Sequence, residues 1–303
     1  MTILPSIEGI QCDNVVAKKR AITEQKTVVL ASPDSFSLPT SLQNVSSGFS
    51  GRPITIFVHG TRLIPIARNF LYSVPYGLLP VQDIQLSANL LYKLLIRLPM
   101  ADAEFCPLEN FYIFTWSGAL SFEERQREGA KLHDALNNLV QKYKIAGVPV
   151  PPITIIAHSH GGNVVLNLVA ADCQHNYTIA RLILLACPVQ LETESYIQHS
   201  LFERVYSFYS NTDLIQIADP QGLYKNRVYR GRRYLKFSGR RFECDSRIKQ
   251  VCIEYNNRNL FHIEFIWGKF WYYIPQVISI LDSWDSYDNS ENVDCTFLLK
   301  LKT

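Results

Sequence analysis

The segment His158-Ser159-His160-Gly161-Gly162 sets a serine between two histidines and follows it with two glycines. A serine hydroxyl is a weak nucleophile near neutral pH. It attacks a carbonyl only when a histidine takes its proton and a carboxylate orients that histidine and balances its charge. The flanking residues indicate how such a serine would be presented. Ile153-Thr154-Ile155-Ile156-Ala157 is a nearly continuous apolar, β-branched run, and an apolar segment of helical character follows from Asn163-Val164-Val165. The spacing predicts a strand, a sharp turn and a helix, with Ser159 at the apex. Strand and helix crowd together at such a turn, so small residues are required two before and two after the serine. Ala157 and Gly161 stand at those positions.

The pattern Ala-x-Ser-x-Gly is one conservative step from Gly-x-Ser-x-Gly. With it, the stretch resembles the nucleophile elbow of the α/β-hydrolase fold family, and within that family the lipase-like and esterase-like members that carry His-Ser-x-Gly-Gly. The resemblance implies that Ser159 attacks a carboxylic ester and forms an acyl-enzyme, without a cofactor. It also implies a chain order of serine, then acid, then histidine.

The elements that must position these groups follow the same scheme. Pro53-Ile54-Thr55-Ile56-Phe57-Val58-His59-Gly60-Thr61 reads as a strand buried on both faces that ends in His-Gly. In the family the loop after this strand supplies one backbone N–H of the oxyanion hole, which places that donor near Thr61 or Arg62; the second is the N–H of His160. Residues 110–118 predict the next strand. A capping-box spacing at Ser121-Phe122-Glu123-Glu124 then opens a helix to about Lys144, striped by Ala130, Leu132, Leu136, Leu139 and Val140. Further strands are expected at 180–189 and 204–210. Strands alternating with helices imply an α/β fold, a mainly parallel doubly wound sheet with helices on both faces and active loops at the carboxyl edge.

The family's order then selects the partners of Ser159. Four histidines follow it, His160, His175, His199 and His262, and only His262 lies beyond a strand-end acid. The resemblance therefore makes His262 the base and Asp213, three residues past a strand, the acid; Asp219 is the alternative acid. His158-Ser159-His160 also forms a His-x-His, but the two side chains diverge and no third ligand accompanies them, so no metal is expected and His158 is read as packing beneath the turn.

The domain is expected to span 51–285, after a lead-in over 1–50 with one or two short strands, 27–30 for instance, and before a tail over 286–303. An apolar, Pro- and Gly-broken stretch at 63–99 reads as a helix over 85–98, preceded by a packed loop or lid. Residues 270–281 read as a helix docked on the core. Seven scattered cysteines without a Cys-x-x-Cys pair argue against a disulfide framework or zinc site and for a reducing compartment, and the N-terminus has no secretory pattern, which leaves the cytoplasm or export by another route. The formal charge of +3 hides an asymmetry: residues 225–241 hold eight basic and no acidic side chains, so the remainder carries 3 − 8 = −5. This stretch predicts a basic β-hairpin inserted between acid and histidine, either a solvated arm or a patch for the anionic headgroups of a membrane. Nucleic acid is disfavoured as a partner because no binding module accompanies the charge. An ester of an apolar acyl group or lipid is the expected substrate. An amide- or thioester-cleaving hydrolase, or an inactive hydrolase-like binding module, are the rival readings.

Overall fold

The computed structural model describes residues 24–29, 51–61, 74–84, 90–171, 175–217, 241–284 and 296–302. Its strands are β1 (Glu24–Val29), β2 (Ile54–Val58), β3 (Gly77–Pro80), β4 (Phe111–Thr115), β5 (Ile153–His158), β6 (Arg181–Leu185), β7 (Val205–Tyr209), β8 (Ile248–Tyr255), β9 (Arg258–Asn259) and β10 (Thr296–Lys302). They form one sheet in the order β1-β10-β8-β7-β6-β5-β2-β4-β3, with β9 paired to β8. All neighbours are parallel except β3 with β4 and β9 with β8. This is the α/β architecture with a mostly parallel sheet that the alternating elements predict.

The central strands β2, β5 and β7 are buried at every residue and mostly apolar because both faces are covered. Side chains alternate along a strand, and in β5 Ile155 and Ala157 join one core while Ile156 joins the other. On the first side lie α3 (Phe122–Ile145), through Leu132, Leu136, Leu139, Val140 and Tyr143, and α4 (His160–Leu166). On the other side lie α1 (Leu90–Leu95), α2 (Arg97–Ala101), α6 (Glu264–Trp267) and α7 (Phe270–Trp284). α7 buries Phe270, Trp271, Ile274, Val277, Ile278 and Leu281, a helical stripe that seats Trp271 edge-on against Phe57 at 5.3 Å. Burying a side chain of this size contributes roughly 1.5–3 kcal/mol.

Several expectations change here. The sheet extends past 51–285 at both ends, since β1 pairs with β10 and β10 with β8, so the lead-in supplies an edge strand and the tail the strand beside it. β8 and β3 have no counterpart in the sequence reading. Of the helix expected over 85–98, residues 85–89 lie outside the described residues and the rest forms two short helices broken at Ile96, with α2 running on to Ala101; Pro99 falls in its first turn, where a missing N–H costs nothing. The basic stretch up to residue 240 and the loop at 62–73 lie outside the described residues. Cys106, Cys187 and Cys252 are buried free thiols, whereas Cys244 is disulfide-bonded, against the expectation that the cysteines are reduced. Among the described residues no helix is long and apolar enough to cross a membrane.

Candidate functional site

β2, β4, β5, β6, β7 and β8 run in one direction, so the loops at their carboxyl ends gather along one edge of the sheet. Ser159 follows β5 directly and has φ 53° and ψ −136°, one of four non-glycine residues with positive φ among the described residues. Such a backbone costs on the order of 1–3 kcal/mol and persists only where the surroundings enforce it. The enforcement is visible. The Ser159 N–H donates to the Leu185 carbonyl at 2.8 Å, and Gly162 donates back to the Ser159 carbonyl at 3.0 Å.

Three glycines make the turn possible. A Cβ on Gly161 would stand 2.5 Å from the His59 carbonyl oxygen and 2.6 Å from that of Val58. A Cβ on Gly162 would meet Cys187 Sγ at 2.4 Å, and one on Gly60 would meet the Ser159 Cβ at 2.7 Å. The end of β2 is thus pressed directly against the serine, and Thr61 follows Gly60 at the same place. Thr61 is half-buried, and its Oγ1 is buried without a hydrogen-bond partner. His160 opens α4, where first-turn N–H groups lack acceptors within the helix.

His59 braces this loop. The Gly60 carbonyl can only accept, so His59 Nδ1 carries the proton and donates to it at 2.7 Å, leaving Nε2 to accept the Trp116 N–H at 3.2 Å. Trp116 Nε1 in turn donates to the His59 carbonyl at 2.8 Å, and the two rings stack at 5.8 Å. The sequence reading gave His59 no such part; the signal was an aromatic residue at the equivalent end of the neighbouring strand, one position past β4.

The loops after β7 and β8 carry Asp213 and His262. Asp213 is completely buried, and its Oδ2 accepts from His262 Nδ1 at 2.8 Å. A carboxylate partner at Nδ1 leaves the Nε2 lone pair of the neutral ring available. Asp213 Oδ1 accepts the Gln216 N–H at 2.9 Å within α5 (Leu214–Ile217), and Gln216 Nε2 donates to the Cys187 carbonyl at 2.7 Å, tying this loop to the one after β6. Asp219, the alternative acid, lies outside the described residues. His158, read as packing beneath the turn, is buried there, and its Nε2 reaches the His262 carbonyl at 3.1 Å with the two rings 4.8 Å apart. Burial first, then the neighbouring His262, pushes the His158 pKa well below the usual imidazole value.

The His160 side chain turns away from this pair, to Gln190, whose Nε2 lies 3.5 Å from His160 Nδ1. Gln190 Oε1 accepts from the buried Arg125 at 3.0 Å, beside a cavity of about 260 Å³ that both residues line. A second cavity, of about 310 Å³, lies behind the His262 loop between Leu260, Glu264 and Phe270. Among the described residues no cluster of three or more His, Cys, Asp or Glu side chains could hold a metal ion. In sum, one sheet edge brings together a strained serine pressed on a His-Gly loop and a buried Asp–His pair held by the next two loops. Compared with known proteins, the chain matches no family model and no curated protein.

Proposed function

We propose that this chain is a serine hydrolase of the α/β-hydrolase type that cleaves a carboxylic ester of an apolar acyl group or lipid. The observation that carries the reading is the buried 2.8 Å contact between His262 Nδ1 and Asp213 Oδ2 on the same loop edge as the strained Ser159. In the mechanism, His262 Nε2 takes the Ser159 proton while Oγ attacks the ester carbonyl. The N–H groups of His160 and of the Thr61 segment hold the resulting oxyanion. His262 then gives the proton to the departing alcohol, and water, activated by the same ring, hydrolyses the acyl-enzyme. Asp213 keeps the imidazole in the required tautomer and stabilises it when it is charged. No step calls for a cofactor.

The apolar substrate class draws support from the rim. Leu214, Ile215, Phe261 and Ile263 flank Asp213 and His262 in the chain and are 49–73% exposed. Contact of the basic stretch 225–241 with anionic lipid would complement this rim. Charge reversal at Arg230, Arg232 and Arg233 should then release the protein from anionic vesicles; unchanged binding removes the headgroup role. Of the two compartments, the disulfide at Cys244 favours an oxidising one.

A fluorophosphonate probe tests the reaction. Wild type should form an adduct that Ser159→Ala lacks, and a series of p-nitrophenyl esters should rise in kcat/KM with acyl length. No adduct in folded protein sinks the enzyme reading and leaves the binding-module alternative. Faster turnover of thioesters or amides than of esters replaces the substrate class.

A further inference from the structure

His262 stands in an exposed loop. Its neighbours Phe261 and Ile263 are 61% and 52% exposed, while His262 itself is 8% exposed; the nearest core anchors along the chain are Leu260, two residues before it, and Phe265, three after it. Asp213 fixes one ring atom. A single bond at Nδ1 leaves the imidazole able to swing about that contact. The backbone of the same residue is where the second fixing point lies: His158, the residue immediately before Ser159, reaches the His262 carbonyl through Nε2.

We propose that His158 is a positioning residue for the reaction proposed above: its Nε2–H, donated to the His262 carbonyl, locks the base-bearing loop onto the strand that carries the nucleophile. The inference rests on the serine-hydrolase reading, but the tie itself is independent of it. Among the described hydrogen bonds, this one runs directly from the β5–Ser159 segment to the His262 loop; the loop after β7 adds the Asp213–His262 bond and a long contact from Thr212 Oγ1 to the Leu260 carbonyl at 3.5 Å.

Several features make a histidine suited to this position. A carbonyl only accepts, so His158 holds its proton on Nε2 and has a bare Nδ1. That Nδ1 faces Gly60, where an added Cβ would come within 3.2 Å of it, so the ring is clamped between the His-Gly loop and the His262 ring. The groups that face it are His262, His59 and His160, and no carboxylate accompanies them among the described residues. Together with burial these keep His158 neutral while His262 gains and loses its proton. The donated bond therefore persists through the cycle. His158 does not itself replace the base, because its bare Nδ1 is turned to the Gly60 backbone.

Two substitutions separate the bond from the ring. His158→Phe keeps an aromatic ring and removes the donor; His158→Gln keeps a donor at the reach of Nε2 and removes the ring. Misplacement of a catalytic group by about 1 Å costs on the order of 10²-fold. His158→Phe should lower kcat on p-nitrophenyl butyrate roughly 10–100-fold with KM changed by less than about twofold, and His158→Gln should recover most of the loss. The second readout is the proton NMR signal of His262 Nδ1–H. It should exchange with water markedly faster in His158→Phe than in wild type and return towards the wild-type rate in His158→Gln. A kcat within twofold of wild type in His158→Phe overturns the proposal, as does a His158→Gln variant as impaired as His158→Phe. If no ester is turned over at all, the hydrolase reading fails separately, and the Nδ1–H exchange rates still decide whether His158 holds the loop.

Discussion

The two halves of the site are held by different physics. The Ser159 half is held by shape: Gly60, Gly161 and Gly162 let backbone approach backbone and side chain so closely that a Cβ at any of them would come within 2.7 Å of another atom. Ser159 makes no side-chain cap on α4. The Asp213–His262 half is held by polar bonds across loops, from Asp213 to His262 and to the Gln216 N–H, and from Gln216 to the Cys187 carbonyl. Close-packed backbone resists added volume and tolerates changes of charge; a hydrogen-bonded carboxylate tolerates small changes of volume and fails when its polarity changes. In the proposed reaction the nucleophile is thus a steric device and the acid–base pair an electrostatic one.

The largest effect should come from changing polarity with volume preserved. Asp213→Asn keeps the shape but can donate to His262 Nδ1, which moves the imidazole proton to Nε2 and removes the lone pair that accepts the serine proton. By analogy with serine proteases, kcat should fall about 10⁴-fold while the fold is retained. Ester kinetics together with circular dichroism test this. Activity within tenfold of wild type would transfer the acid's role away from Asp213, with Asp219 the next to test.

The converse change adds volume without polarity. Gly161→Ala forces its methyl against the His59 and Val58 carbonyls, both backbone atoms at the end of a fully buried strand, so neither can swing aside. Overpacking of this kind should cost about 3 kcal/mol of stability. Fluorophosphonate labelling should slow as well, because the oxyanion loop must shift. Chemical denaturation giving the same midpoint for variant and wild type would falsify the steric account of the elbow.

The difference between the halves also governs what the sequence reveals. The steric half is local: small residues on both sides of Ser159, between a β-branched run and a helix, announce the turn because the constraint acts within a few residues. The helix start at Ser121 was equally legible, and its Oγ does accept the Glu124 N–H at 3.2 Å; Glu124, however, bonds Ser117 instead of closing the box. The polar half is assembled from positions 49 residues apart, so Asp213 and His262 could be paired only through the chain order that the resemblance supplies. The bonds of His59 and His158 were illegible for the same reason, as each depends on what another loop brings near. β8 was missed because Lys249 and Gln250 interrupt its apolar pattern; Gln250 is nevertheless buried, satisfied by the Phe242 backbone. β10 lies among residues that composition alone marks as a tail.

The smallest effect concerns stability against pH, and it arises where the two halves touch. The His158 pKa is pushed below its unfolded value of about 6.5, by burial first and by His262 next. Between those two values the unfolded chain binds a proton that the folded protein refuses, so stability is undiminished above pH 6.5 and falls as the pH drops below it. The loss from a single such group approaches about 1.4 kcal/mol per pH unit until the folded pKa is reached. His175, whose ring lies 5.1 Å from His133 and 5.9 Å from His199, is lowered in the same direction by burial and by those two rings, and adds to the slope. Glu264 acts in a different window: Arg258 holds its carboxyl below the usual range, so its contribution is lost only as the pH falls through the carboxylate region near 4. Burial raises the Glu194 carboxyl, whose contribution runs the other way, so denaturant titrations of wild type and His158→Gln between pH 6.5 and 5 isolate His158 by difference. Wild type should lose stability across that interval, and His158→Gln, which has no proton to refuse, should lose less by close to one group's slope. Equal slopes in the two proteins would mean that His158 accepts a proton in the folded state. Its contact with the His262 carbonyl would then have to survive a cationic ring, contrary to the neutral brace proposed for His158.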